Sequence, residues 1–145
     1  AIEVRYDPNS GAAVERRPVC HVPLVGDVAA GTDVLAQENV EELLPLPADF
    51  VGDGDLFMLR VRGDSMIDAG ILDGDFVVAK AQEHAERGDV VVAGIPGEEA
   101  TVKRFFLRAD HIELRPENPD HAPMRHGFGE VLVQGKVIGL QRTLL

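Results

Sequence analysis

The sequence predicts an all-β domain built of small packed sheets or partial barrels, with little helix. Three observations carry this. Short apolar runs rich in Val, Ile and Phe recur along the chain, each bounded by Gly, Asp or Pro. Leu56 to Val61 alternates, with Phe57, Leu59 and Val61 on one face and Leu56, Met58 and Arg60 on the other. No segment holds the i, i+3, i+4, i+7 repeat of a long amphipathic helix, and no alternation of strand and helix patterns suggests a layered α/β fold.

Taken in order, Asp7 to Ala13 is polar and rich in small residues, reads as an interdomain linker, and continues to about Pro18. From His21 onward the pattern turns β. Val22–Val25 is a short strand, and Val40 to Leu46 is a second that ends at proline. Leu56–Val61, Phe76–Lys80 and Asp89–Ala93 follow, each closed by Gly or Asp. Ala93 to Glu99 is a turn signal, so Val90–Gly94 and Thr101–Leu107 are expected to form a hairpin. His111–Leu114 is a strand closed by Pro116 and Pro119, and Val131–Leu140 is a long one interrupted by Gly135 and Gly139. One short helix can start near Ser65, since serine after a glycine turn is a good N-cap. Residues 1–19 thus lead into a domain spanning 20–145.

At 145 residues and 45% hydrophobic content the chain is large enough for a real core. Its formal net charge of -11 repels phosphate, so this chain by itself is a poor nucleic-acid binder. The single cysteine, Cys20, forbids an intrachain disulfide, which fits a reducing cytoplasm. No apolar run approaches the roughly 18 residues of a membrane span, and no basic-then-apolar signal pattern opens the chain.

The chemistry concentrates in two segments. Arg62-Gly63-Asp64-Ser65-Met66 puts a serine on a tight Gly-Asp turn. Gly63 lets a substrate backbone approach, and the N–H groups of Asp64 and Ser65 can form an oxyanion hole. Ala100-Thr101-Val102-Lys103-Arg104-Phe105 puts a lysine inside an apolar strand, with Thr101, Lys103 and Phe105 on one face. Burial disfavours the ammonium form, and a neutral lysine can take a proton from a serine hydroxyl. The plainer readings are that Ser65 caps a helix and that Lys103 is a solvated strand residue. Thr101 is placed to hydrogen-bond the lysine.

Other motifs compete. Asp110-His111 and Asp120-His121 could each partner Ser65 in a Ser/His/Asp triad, and Gly63-Asp64-Ser65 echoes GDSL-type esterases, whose layered fold finds no support here. His121 and His126 lack companion ligands, so no metal site and no cofactor is expected. Asp73-Gly74-Asp75 and Asp53-Gly54-Asp55 miss the calcium-loop register and read as turns.

Several segments together resemble the regulatory domain of LexA-type repressors, the self-cleaving family that includes phage repressors and mutagenesis proteins. The resemblance runs from about Val22 to the C-terminus. It rests on Ala29-Ala30-Gly31, Leu35-Ala36-Gln37, Leu59-Arg60-Val61 with Gly63-Asp64-Ser65-Met66, Gly70 to Asp75, Gly88 to Ala93, Thr101 to Arg104, and Leu114-Arg115-Pro116-Glu117-Asn118, in that order. It implies Ser65 as nucleophile, Lys103 as general base, and Ala30–Gly31 as the bond cut in the chain's own loop. Alanine suits a small pocket and glycine a sharp bend, with Val28 as an apolar anchor. Members commonly carry proline two residues after the cleavage glycine, where this chain has Asp33.

The resemblance further implies that the chain is a fragment. An N-terminal winged helix-turn-helix domain would precede it, Ala1 to Arg5 would be that wing's last strand, and operator DNA would be read only through the missing part. It implies a homodimer through about Gly135–Leu145, cleavage promoted by RecA filaments on single-stranded DNA, and derepression of DNA-damage (SOS) genes in a bacterial cytoplasm. Signal peptidases share the Ser/Lys chemistry, but the absence of a membrane segment argues against them. Two rivals remain: a non-enzymatic β-module that only dimerises, and a Ser/Lys peptidase that acts in trans.

Overall fold

The computed structural model describes residues 3–6, 13–16, 18–26, 35–52 and 54–144. Among them are eleven strands and three single-turn helices, so the all-β expectation with little helix holds. β1 (Glu3–Tyr6) and β2 (Ala13–Arg16) form a separate antiparallel ribbon. β2 falls where the sequence reads as linker; four residues are too few for their alternation to stand out.

The other strands are β3 (Val19–Val25), β4 (Val40–Pro47), β5 (Leu56–Arg60), β6 (Phe76–Ala81), β7 (Val90–Gly94), β8 (Thr101–Leu107), β9 (Ile112–Arg115), β10 (Met124–His126) and β11 (Leu132–Gln141). They are hydrogen-bonded in the order β10-β9-β8-β7-β11-β6-β5-β3-β4. All neighbours are antiparallel except β3 and β5. The β7–β8 hairpin forms in the expected place, with Val90 opposite Arg104 and Ala93 opposite Thr101. β4 fills the expected span Val40–Leu46 and runs one residue further, to Pro47, with Pro45 inside it. It is the edge strand, where a residue without N–H leaves no ladder bond unmade.

β11 joins two groups of strands. Its first half pairs with β7 and its second with β6, and its register shifts between Val133 and Gly135 and again between Val137 and Gly139. The glycines that interrupt this strand therefore mark its bends. At Gly135 a Cβ would stand 2.8 Å from the Phe57 ring and 2.9 Å from the Lys80 carbonyl, so only glycine lets β11 lie this close to β5 and β6.

The alternation of β5 divides the interior. Phe57, Leu59 and Val61 enter a core with Val25, Met66, Ile71, Val77 and Val102. Leu56 and Met58 enter a second with Val22, Leu24, Leu46 and Val78. A third, around Phe105, Ile112, Leu114 and Val133, lies between β7, β8, β9 and β11. Burying such side chains contributes roughly 1.5–3 kcal/mol each. The first core lies under the segment that follows β5.

Candidate active site

Ser65 stands on a short excursion from β5. The root is pinned by two backbone bonds, Val61 N–H to the Asp75 carbonyl at 2.7 Å and Gly74 N–H to the Val61 carbonyl at 2.8 Å. Gly63 then adopts φ +86°, a left-handed conformation that favours glycine, and its N–H donates to Asp73 Oδ1 at 2.7 Å. Beyond the turn, Met66 is buried in the first core and anchors the segment from the other side. The single-turn helix that follows spans Ile67–Ala69, with Met66 at its N-cap and no side-chain cap bond. Ser65 is therefore not a helix cap, and its hydroxyl is left for other chemistry.

That hydroxyl meets Lys103. Lys103 Nζ lies 3.0 Å from Ser65 Oγ, 2.6 Å from Thr101 Oγ1 and 3.2 Å from the Val102 carbonyl oxygen. Thr101 makes the contact expected of it. The side chain is half-buried, and among the described residues no carboxylate pairs with it. Burial pushes the Lys103 amine below the usual lysine range. Once neutral, an amine at hydrogen-bond distance from a hydroxyl can act as its general base.

The histidine alternatives find different partners. His121 Nε2 stands 2.7 Å from the Asp64 carboxylate, not from its sequence neighbour Asp120, and His111 Nδ1 stands 2.6 Å from Asp110. Ser65 Oγ is bonded to the lysine.

A cleft opens beside the pair, lined by Val25, Gly26, Val61, Ser65, Ala100 and Lys103. Charged groups on its wall are Glu41, Arg60 and an exposed Arg62–Glu99 pair at 3.6 Å. Val28, Ala30, Gly31 and Asp33 lie outside the described residues. Of the two N–H groups expected to form an oxyanion hole, those of Asp64 and Ser65, neither donates to an acceptor among the described residues.

Sequence reasoning missed the groups that brace this site. Segment 117–121 straps the serine turn: Glu117 N–H donates to the Ser65 carbonyl at 2.8 Å, and Asn118 Nδ2 donates to the Asp64 carbonyl at 2.9 Å. Arg104 in turn holds the Glu117 carboxylate. On the far side, Arg142 clamps the buried Asp75, Nε to Oδ1 at 2.7 Å and a second nitrogen to Oδ2 at 2.6 Å, and also reaches the Gly70 carbonyl. The arginine holds the Asp75 carboxyl below the usual carboxylate range. Glu117 and Asn118 carried part of the family resemblance without a role. Asp75 read as a turn residue, and nothing local announces a partner 67 residues away.

The model of the Peptidase S24-like family matches residues 23–138, which is most of the chain and includes both Ser65 and Lys103. The chain belongs to the Peptidase S24-like family. Within it, the chain is similar to LexA repressors. That of Caldicellulosiruptor saccharolyticus is 50% identical over 149 residues, covering 97% of this chain and 72% of the relative. That of Exiguobacterium sibiricum is 45% identical over 150 residues, with the same coverage. That of Moorella thermoacetica is 45% identical over 149 residues, 96% of this chain and 71% of the relative. At this identity and coverage the chain is a LexA-type C-terminal domain of peptidase type, a repressor's regulatory domain. No helix among the described residues is long and apolar enough to cross a membrane.

Proposed function

We propose that this domain cuts its own chain between Ala30 and Gly31 and thereby inactivates a repressor of DNA-damage (SOS) genes. The observation that carries the proposal is the 3.0 Å approach of Lys103 Nζ to Ser65 Oγ beside a cleft, with no carboxylate paired to the lysine among the described residues. Ser65 Oγ attacks the Ala30 carbonyl carbon while Lys103 takes the hydroxyl proton. The oxyanion is held by the N–H groups of Asp64 and Ser65. Lys103 then gives its proton to the Gly31 nitrogen as the C–N bond breaks, leaving an Ala30 ester on Ser65. Water, deprotonated by the same amine, hydrolyses that ester.

The position of the loop ends supports cleavage in cis. Gly26 lines the cleft and is held by its N–H to the Asn39 carbonyl, and Leu35 packs against the core that contains Met66 and Val102. The eight residues 27–34 are thus tethered at both ends beside the pair, which gives their peptide bonds a high effective concentration. An apolar groove of Leu46, Val78, Ile138 and Leu140, with Ile138 and Leu140 exposed, supports a homodimer formed through β11. RecA filaments on single-stranded DNA are the proposed stimulus, a DNA-binding domain outside this chain the reader of operator DNA, and a bacterial cytoplasm the setting.

Incubation of the purified chain across a pH series, with fragments weighed by mass spectrometry, tests the reading. Scission falls between Ala30 and Gly31, speeds up as Lys103 loses its proton, and has a rate constant independent of protein concentration. Ser65→Ala and Lys103→Ala stop it; His111 and His121 variants do not. A rate that climbs with concentration, with Ser65→Ala chains cut as fast as intact ones, would make the chain a peptidase acting in trans. No scission at any pH would leave only a dimerising module.

A further inference from the structure

We infer that Asn118 is a positioning residue for the reaction: its side-chain amide aims the Ser65 N–H at the developing oxyanion. The inference rests on the Ser65 reading above and deepens it.

Asn118 is 5% exposed and lies 53 positions beyond the serine, yet its amide is fixed at both ends by backbone groups of known polarity. The Asp120 N–H can only donate, and it meets Asn118 Oδ1 at 2.9 Å. The other end is therefore the NH2 group, and it meets the Asp64 carbonyl, which can only accept, also at 2.9 Å. The Asn118 carbonyl receives the His121 N–H at 3.1 Å, so the turn 118–121 is closed on itself before it touches the serine segment. The Asp64 carbonyl has one other donor, Ile67 N–H, at a long 3.4 Å. Asn118 therefore sets its direction.

The Asp64 carbonyl and the Ser65 N–H belong to one planar trans peptide and point in opposite directions. Holding the carbonyl against the strap turns the Ser65 N–H away from the strap. That N–H donates to no acceptor among the described residues. The adjacent peptide is held too, because the Ser65 carbonyl accepts Glu117 N–H at 2.8 Å. Two successive peptides that flank the nucleophile are thus oriented by residues 117 and 118, and among the described residues the side chain that bonds directly to those peptide groups is that of Asn118. A donor fixed before the reaction is worth more than one that must turn to meet the charge.

Asn118→Asp isolates the role. It keeps the oxygen that accepts from Asp120 and the size of the side chain but replaces the donor to Asp64 with a charged oxygen, so Asn118→Ala, which removes the donor without adding charge, is read beside it. Self-cleavage of the full chain is followed against pH, alongside labelling of Ser65 by a small fluorophosphonate, which needs the serine and its oxyanion donors but not the loop. Ile112→Val, a small packing change in the third core and outside the site, serves as the control for stability alone, and all rates are taken well below each variant's melting temperature. The expected result is that Asn118→Asp and Asn118→Ala each lower cleavage and labelling in parallel by at least about tenfold, short of the roughly 10²–10³ that follows outright loss of an oxyanion donor. In Asn118→Ala the pH at half-maximal rate, which reports Lys103, stays where it is, and Ile112→Val leaves both rates near wild type. The inference is overturned if both Asn118 variants cleave and label at the wild-type rate, or if Ile112→Val slows the reactions as much as they do. If wild-type chain neither cleaves nor labels, the Ser65 reading itself fails, and that outcome is told apart by the wild-type control.

Discussion

Thr101→Val removes one oxygen from the surroundings of Lys103, the proposed general base, and keeps the shape of the side chain. The Thr101 contact, at 2.6 Å, is the shortest of the three polar contacts to Lys103 Nζ, ahead of Ser65 at 3.0 Å and Val102 at 3.2 Å. Hydrogen bonds to charged groups are worth about 1.5–3 kcal/mol, and the half-buried setting argues for the lower end. An oxygen acceptor stabilises the ammonium more than the amine, so its loss favours the neutral form. One pKa unit corresponds to about 1.36 kcal/mol, so the Lys103 amine, already lowered by burial, should fall by a further unit or so. The assay is the rate of self-cleavage against pH. The midpoint of the rise moves about one unit toward neutral, while the limiting rate at high pH drops by no more than about tenfold as the amine loses an orienting partner. The variant is thus nearer to its own maximum at neutral pH than the wild type is. A midpoint that stays put, or moves to higher pH, would refute the claim that Thr101 holds the lysine through its ammonium form.

The burial of Lys103 also bears on stability. Its pKa is lower in the folded chain than in the unfolded one, so between the two values the unfolded state binds more protons and stability rises with pH. In a Ser65→Ala background, Lys103→Met should melt higher at neutral pH, and the gap should close as pH rises toward about 10.4. Arg142→Ala should lower the melting temperature, because it leaves the Asp75 carboxylate buried without its partner. Asp75 titrates below its ordinary value in the fold, so that contribution is present above about pH 3.9 and lost as pH falls through the lowered value. The Arg142→Ala deficit should shrink in acid, and a deficit that grows in acid would contradict the pairing.

Local patterning made most of the sheet legible. The runs at Val22, Leu56, Phe76, Val90, Thr101 and Val131 all became strands, because β-branched and aromatic residues between Gly, Asp and Pro have few other options. Both faces of β5 are buried, so its alternation marks two cores rather than an inside and an outside. The serine and the lysine could be picked out because a glycine turn and an apolar strand are local features. What stayed hidden is whatever depends on pairing at a distance. β10 is three residues long and exists only because Met124 to His126 find β9. The Asn118–Asp64 and Arg142–Asp75 contacts join residues 54 and 67 positions apart, and no periodicity records such partners. Ser65 read equally well as a cap until the Met66 N-cap and the lysine contact separated the two uses of its hydroxyl.

The place of β11 in the sheet has a consequence for the chain as it is made. Ser65 follows β5, on one side of β11, and Lys103 lies in β8, on the other. Both residues are synthesised before Leu132. Until β11 arrives to pair with β6 and β7 together, no strand ladder ties the serine's half of the sheet to the lysine's. Residues 27–34, translated earlier than either, would therefore be spared during synthesis under the proposed reading. On the proposed reading, scission waits for the last described strand, so a newborn chain is whole before it acquires the means to cut itself.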